Sequence, residues 1–154
     1  MEWTALVATV VGAVIGVGST LATDRIRWKR DTSARDREIL RTVSAEFIDA
    51  LTQARDAISD ASRSGHLRVE ERAQLARAGI LDHAVHAKQY QLELLAEPEV
   101  ACLAGDAAYQ LVLYRDAVVA GHTRDDTECT HARRAFREAR QELMSAMRTS
   151  LARP

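Results

Sequence analysis

The chain has 154 residues, 47% of them hydrophobic and 28% charged, and its 21 Lys+Arg against 22 Asp+Glu leave a formal net charge of −1. That length holds one compact domain plus one further element, and the apolar fraction excludes a disordered chain. So balanced a charge creates no whole-molecule field for nucleic acid, and local basic groups must be weighed one at a time.

From Trp3 to Thr23 there is no charged residue, and only Thr4, Thr9, Ser19, Thr20 and the terminal Thr23 interrupt the apolar run. As a helix this stretch covers about 30 Å, the thickness of a bilayer's hydrocarbon. A buried soluble helix would normally keep a polar face, which this stretch lacks. A cleaved signal peptide would place basic residues before its apolar core. Here only Glu2 precedes it, while Arg25, Arg27, Lys29 and Arg30 follow it. The positive-inside rule therefore predicts a single-pass span in the inner (plasma) membrane, with the N-terminus outside and the remaining chain cytoplasmic. Trp3 and Trp28 flank the span as interfacial anchors, together with Arg25, Arg27, Lys29 and Arg30, in contact with membrane lipid. Within it, Ala8, Gly12, Gly16 and Thr20 recur every four residues. Such a small-residue stripe lets two helix backbones approach closely, so a homo-oligomer through the membrane helix is expected.

No proline or paired turn residue separates Thr23 from Arg63, so the spanning helix is expected to run on into the aqueous phase. Residues 24–38 carry both charge signs on all sides and read as a polar juxtamembrane stalk. From Leu40 a packing stripe begins: Leu40, Val43, Phe47, Ala50 or Leu51, Ala54, Ile58 and Ala61. Gly65, in the run Ser62 to His66, is read as the C-cap of that helix. A second helical region spans about 69–96. Gly79 is expected to divide it into a short and a longer piece, with Ile80, Ala84, Ala87, Tyr90 or Gln91, and Leu94 turned inward. Glu97-Pro98 ends it and starts a third helix to Ala120, with Val100, Leu103, Ala107, Leu111, Tyr114 and Val118 buried and Gly121 as the stop. Thr123, with Asp126 three residues on, reads as a capping box for a fourth helix to about Leu151. Its stripe is Ala132, Phe136, Ala139, Leu143, Met147 and Leu151. The fold class is all-α: a transmembrane helix over 1–23, the stalk over 24–38, and an antiparallel up-down-up-down helical bundle over 39–154.

The segments Ala45-Glu46-Phe47-Ile48-Asp49-Ala50-Leu51 and Leu94-Leu95-Ala96-Glu97-Pro98-Glu99-Val100, set behind a span and a basic patch, give the chain a resemblance. It resembles small, mostly actinobacterial, uncharacterised membrane-anchored helical proteins over about two thirds of its length. The resemblance implies an anchored helical bundle and carries no activity or catalytic residue with it.

Four chemical constellations remain. Glu128-Cys129-Thr130-His131 has the Glu-x-x-His spacing of bundle di-metal sites, and Asp82, His83 and His86 could add ligands. Only one such pair occurs, however, and Glu128 has a helix-dipole reason to stand at a helix start. Cys102 and Cys129 are expected as free thiols about 20 Å apart along the bundle. A Cys129–His131 catalytic pair is disfavoured, because residues two apart on a helix diverge. Arg133, Arg134, Arg137 and Arg140 interleave with Glu138 and Glu142 as a solvated face does. No phosphate loop, Ser nucleophile motif or CxxC is present. The sequence thus assigns no catalytic residue, no cofactor, no metal ligand and no nucleic-acid partner. Its leading reading is a membrane-anchored interaction or scaffold module with a protein partner. A membrane-acting effector or pore-forming oligomer built on the Gly12/Gly16 face stands second, and a bundle metalloenzyme third.

Overall fold

The computed structural model describes residues 35–152, which are all-helical, with no strand among them. The transmembrane expectation for 1–23, the stalk to residue 34 and the anchor residues lie outside the described residues. None of the described helices is long and apolar enough to cross a membrane. Residues from Leu40 onward form one compact unit, and 35–39 belong to a separate N-terminal one.

Five helices make up the described chain. They are α1 over 35–63, α2 Val69–Asp82, α3 Val85–Glu93, α4 Pro98–Val119 and α5 Thr127–Ala152. Residues 35–38 are all exposed, as a stretch without an apolar face must be. The α1 stripe then turns inward, with Phe47, Ala50, Leu51, Ala54, Ile58 and Ala61 at 2% exposure or less. Leu40 and Val43 pack at its edge.

The helices of the unit from Leu40 run up, down, up and down, the second descent being made by α2 and α3 together. The Tyr114 hydroxyl lies 3.4 Å from Ser62 Oγ, and the Arg124 N–H donates to the Ser62 carbonyl at 3.2 Å, so α1 and α4 finish at the same end. The α2 start is there too, since Arg72 Nη2 donates to the Gly121 carbonyl at 3.0 Å. At the opposite end, Val100 and Leu103 of α4 share a groove with Ala146 and Thr149 of α5. Short connections leave consecutive segments little choice but to pack antiparallel.

Helix ends follow local chemistry. Pro98 occupies the first turn of α4, where its missing N–H costs nothing. Gly121 ends that helix with φ at 101°, a conformation open to a residue without a Cβ. Gly65 behaves otherwise. It is not among the positive-φ residues, so the expected glycine C-cap is corrected to a plain turn in which the Ser64 N–H reaches the Ala61 carbonyl at 3.2 Å.

The second helical region departs most from expectation. Gly79 does not interrupt it: α2 runs through Gly79, whose absent Cβ would stand 2.9 Å from Ala57 Cβ, so glycine is there to let α2 approach α1. The break falls instead at His83 and Ala84, where Ala84 has φ 50°. Ile80 and Val85 are both 3% exposed or less. Five residues apart on an uninterrupted helix they would point about 140° away from each other. The left-handed residue between them re-aims α3 so that both are buried. The inward set after Ile80 shifts accordingly. Ala84, Ala87, Tyr90, Gln91 and Leu94 are exposed, and Val85 and Leu92 take the core positions instead.

In α4 the expected stripe holds, with Ala104 and Ala108 added and Leu103 partly buried; in α5, Phe136, Leu143 and Met147 are buried. The core is rich in alanine. Ala50, Ala54, Ala76, Ala104 and Ala107 are at most 1% exposed, so helix axes approach closely around a few large side chains, above all Phe47, Leu92, Leu111, Tyr114 and Leu143.

Candidate functional site

Along the seam between α1 and the last turns of α5 runs an open groove of about 470 Å³. Ala45, Ile48, Met144, Met147 and Leu151 give it an apolar floor, and Arg41, Asp49 and Arg148 stand among its polar lining. Local geometry fixes the α1 wall. The Thr52 hydroxyl donates back to the Ile48 carbonyl at 2.7 Å, which ties its polar group to the helix and leaves its methyl available to the groove. The Asp49 carboxylate accepts a bond from Gln53 Nε2 at 2.6 Å, which holds it along the helix surface. Two methionines contribute unbranched, polarizable side chains that adapt to an incoming shape.

Met147 and Leu151 stand on the stripe that the α5 spacing predicts, whereas Ile48 and Met144 stand on no predicted stripe. A signal for them existed. Each lies one position beside a stripe residue, Phe47 and Leu143, and so widens the apolar sector beyond what one buried seam needs.

A second groove of about 400 Å³ lies between the start of α4 and the end of α5. It is polar, carrying Glu97, Glu99 and Glu142 with Ser145, Thr149 and Ser150.

The other end of the bundle is a polar network. The Thr123 N–H and hydroxyl both donate to Asp126 Oδ2, at 2.6 and 3.1 Å, and these bonds hold the Asp126 carboxyl below its ordinary pKa. Asp126 directly precedes α5, and its carbonyl accepts the Thr130 N–H at 3.0 Å. The expected capping box is therefore shifted: Asp126 stands at the helix start rather than one turn inside it. His122 Nδ1 lies 3.6 Å from Glu128 and 3.9 Å from Asp126. Arg72 is 5% exposed, and beyond its bond to Gly121 its Nε and Nη1 meet no protein acceptor.

The di-metal set does not assemble. Among the described residues no group of three or more His, Cys, Asp and Glu side chains is arranged so that it could hold a metal ion. Glu128 faces His122 near the start of α5, whereas Asp82, His83 and His86 lie at the α2–α3 junction, more than two helical turns along α2 from Arg72 at that end. Cys102 and Cys129 are both free, Cys102 exposed and Cys129 buried. Burial pushes the Cys129 thiol up and so away from the nucleophilic thiolate. His131 is exposed while Cys129 is buried, so the two diverge as their spacing requires. On the arginine-rich face of α5, Arg134 Nε lies 3.9 Å from Glu138, a solvent-exposed pair one turn apart. Ala8, Gly12, Gly16, Thr20, Trp3, Arg25, Arg27, Trp28, Lys29 and Arg30 lie outside the described residues. No protein family, curated protein or solved structure matches the chain.

Proposed function

We propose that this protein is a membrane-anchored interaction module. Residues 3–23 hold it in the membrane with the N-terminus outside, and the bundle binds a protein partner in the cytoplasm through the α1–α5 groove. One observation carries the binding part: an open apolar trough with two methionines persists on the surface of a bundle whose core is otherwise filled with alanine and close contacts. Such troughs accept a helix from a partner, because an amphipathic helix presents side chains one and two turns apart along a line. The anchor part rests on the uncharged run and on the basic residues that follow it. The stripe Ala8, Gly12, Gly16 and Thr20 adds a homo-oligomer within the bilayer to this reading.

The test uses the full-length chain in native membranes, with chemical cross-linking before detergent extraction. The chain should remain in the membrane fraction through alkaline carbonate washing. It should cross-link to a partner, and that adduct should disappear when Ala45, an exposed groove residue, is replaced by tryptophan. Release of the intact chain by carbonate would refute the anchor. An adduct indifferent to Ala45→Trp would refute the groove.

A further inference from the structure

Arg72, near the start of α2, carries its charge into the interior. It is 5% exposed, and of its five N–H donors only one on Nη2 is bonded, to the Gly121 carbonyl at 3.0 Å; Nε and Nη1 meet no protein acceptor. The acids around it are engaged elsewhere. Glu71 accepts from Arg68, Asp126 Oδ2 accepts from Thr123, and Glu128 faces His122. A guanidinium stays charged at any ordinary pH, so one held away from water calls for an acceptor or a counter-charge.

The start of α5, a helix of 26 residues, lies at the same end of the bundle. Beyond the Thr123 bonds that act on Asp126 and the burial that acts on Cys129, the Arg72 charge is felt at both groups, which sets the guanidinium against the opening turn of α5. Thr130 makes the first backbone bond of that helix, to the Asp126 carbonyl at 3.0 Å. The N–H groups of Thr127, Glu128 and Cys129 precede it and have no carbonyl of their own helix to reach. Asp126 stands where a capping carboxylate would receive them, but its Oδ2 is committed to the Thr123 N–H and hydroxyl.

We propose that the Arg72 guanidinium and the opening N–H groups of α5 form a binding site for a small, singly charged anion, of which chloride is the simplest example. The site is independent of the α1–α5 groove and of the membrane anchor. Positive charge comes from the guanidinium and from the helix dipole, and both supply N–H donors without further rearrangement. Size follows from burial, since Nε and Nη1 are closed to bulk solvent and only a small ion that sheds its water reaches them. Charge follows from the neighbours: Asp126 and Glu128 repel a doubly charged phosphate or sulfate more strongly than a single charge. Residues 121–124 above the guanidinium are half-buried rather than sealed, which leaves a route inward. A bound anion would tie α2 to α5 and make the stability of this end of the bundle depend on anion concentration.

The experiment uses the full-length chain in micelles of an uncharged detergent, at constant ionic strength, with chloride replacing gluconate, an anion too bulky for the enclosed site. The melting midpoint should rise saturably with chloride, by about 4 °C once chloride stands tenfold above its dissociation constant. In nitrogen-edited NMR spectra, the Arg72 Nε–H and the amides of Thr127, Glu128 and Cys129 should shift along one binding curve. Arg72→Met removes the buried charge with its donors, and its melting midpoint should not respond to chloride. A wild-type midpoint indifferent to chloride, or an equal rise in Arg72→Met, would overturn the inference. Shifts spread over other residues with the Arg72 Nε–H unmoved would do the same. Should Arg72→Met fail to fold, the wild-type spectra decide alone: a saturable shift confined to the Arg72 Nε–H and the opening α5 amides upholds the site, and any other pattern removes it.

Discussion

Ala84 and Gly79, five residues apart, exchange the roles their residue types suggest. The left-handed backbone at Ala84 sets its Cβ against the following carbonyl, at a cost of about 1–2 kcal/mol for a residue that has one. Glycine removes that contact but gives the unfolded chain more freedom, which offsets about 0.4–1 kcal/mol of the relief. Ala84→Gly should therefore raise the free energy of unfolding by about 0.5–1 kcal/mol, measured by urea titration with an unchanged m-value. Gly79 runs the other way. Alanine there would improve helix propensity by about 1 kcal/mol, yet its Cβ would stand 2.9 Å from Ala57 Cβ and 3.3 Å from the Ala54 carbonyl, with no flexible side chain to yield. Overpacking costs about 1–3 kcal/mol, so Gly79→Ala should lower stability in the same titration. The sequence alone supported the opposite assignment, because glycine is the usual helix breaker and alanine the best helix former. Which residue breaks the helix was decided by tertiary fit: α2 must lie close to α1, and Ile80 and Val85 must both be buried.

Among the elements, legibility tracks how far one period extends without interruption. In α1, α4 and α5 the apolar spacing repeats for five or more turns, and the buried residues Phe47, Ile58, Val100, Leu111, Phe136 and Leu143 stand on the stripes read from it. Across α2 and α3 the phase is reset at Ala84, a position with no glycine, proline or side-chain cap to mark it, and the inward residues beyond it were misplaced. The groove was hidden for a related reason. Ile48 and Met144 look like extra core residues in one dimension, and only the antiparallel pairing of α1 with α5 turns them outward along a shared seam. At the start of α5 the Thr123–Asp126 pair was legible as a capping motif, though not its exact position, and it gives the helix a pH-dependent end. Two Thr123 donors depress the Asp126 pKa in the folded state. Its contribution is therefore complete above the unfolded value of about 3.9 and is lost as pH falls through the lower folded value. Asp126→Asn keeps the shape and removes the charge. The variant should melt below wild type at pH 7, and the gap should close as the pH is lowered below about 4, read from paired thermal melts across that range.

For the whole molecule, the physical question is whether the unit from Leu40 needs anything that precedes it. Its core cluster runs from Phe47 to Met147 and draws residues from all five helices, with Leu40 and Val43 closing its edge. Large side chains such as Tyr114, Phe47, Leu51, Leu111 and Leu143 are at most 1% exposed within it. Burying each of these stabilises by about 1.5–3 kcal/mol, and the alanines that fill the rest of the core carry little apolar area each, which keeps the net margin modest. The segment 3–23, by contrast, has no charged residue in its sequence, and the proposed function places it in hydrocarbon rather than against the bundle. Removing residues 1–23 should therefore leave the bundle folded, with helical circular dichroism and a melting midpoint within a few degrees of the full chain, while moving it from the membrane to the aqueous fraction. A truncated chain that loses its cooperative melt would mean that those residues pack against the bundle, and the proposed anchor and its orientation would be withdrawn together. A truncated chain that stays folded and remains with the membrane would move the attachment to the basic residues of the stalk over 24–38, where headgroup charge rather than hydrocarbon would hold it.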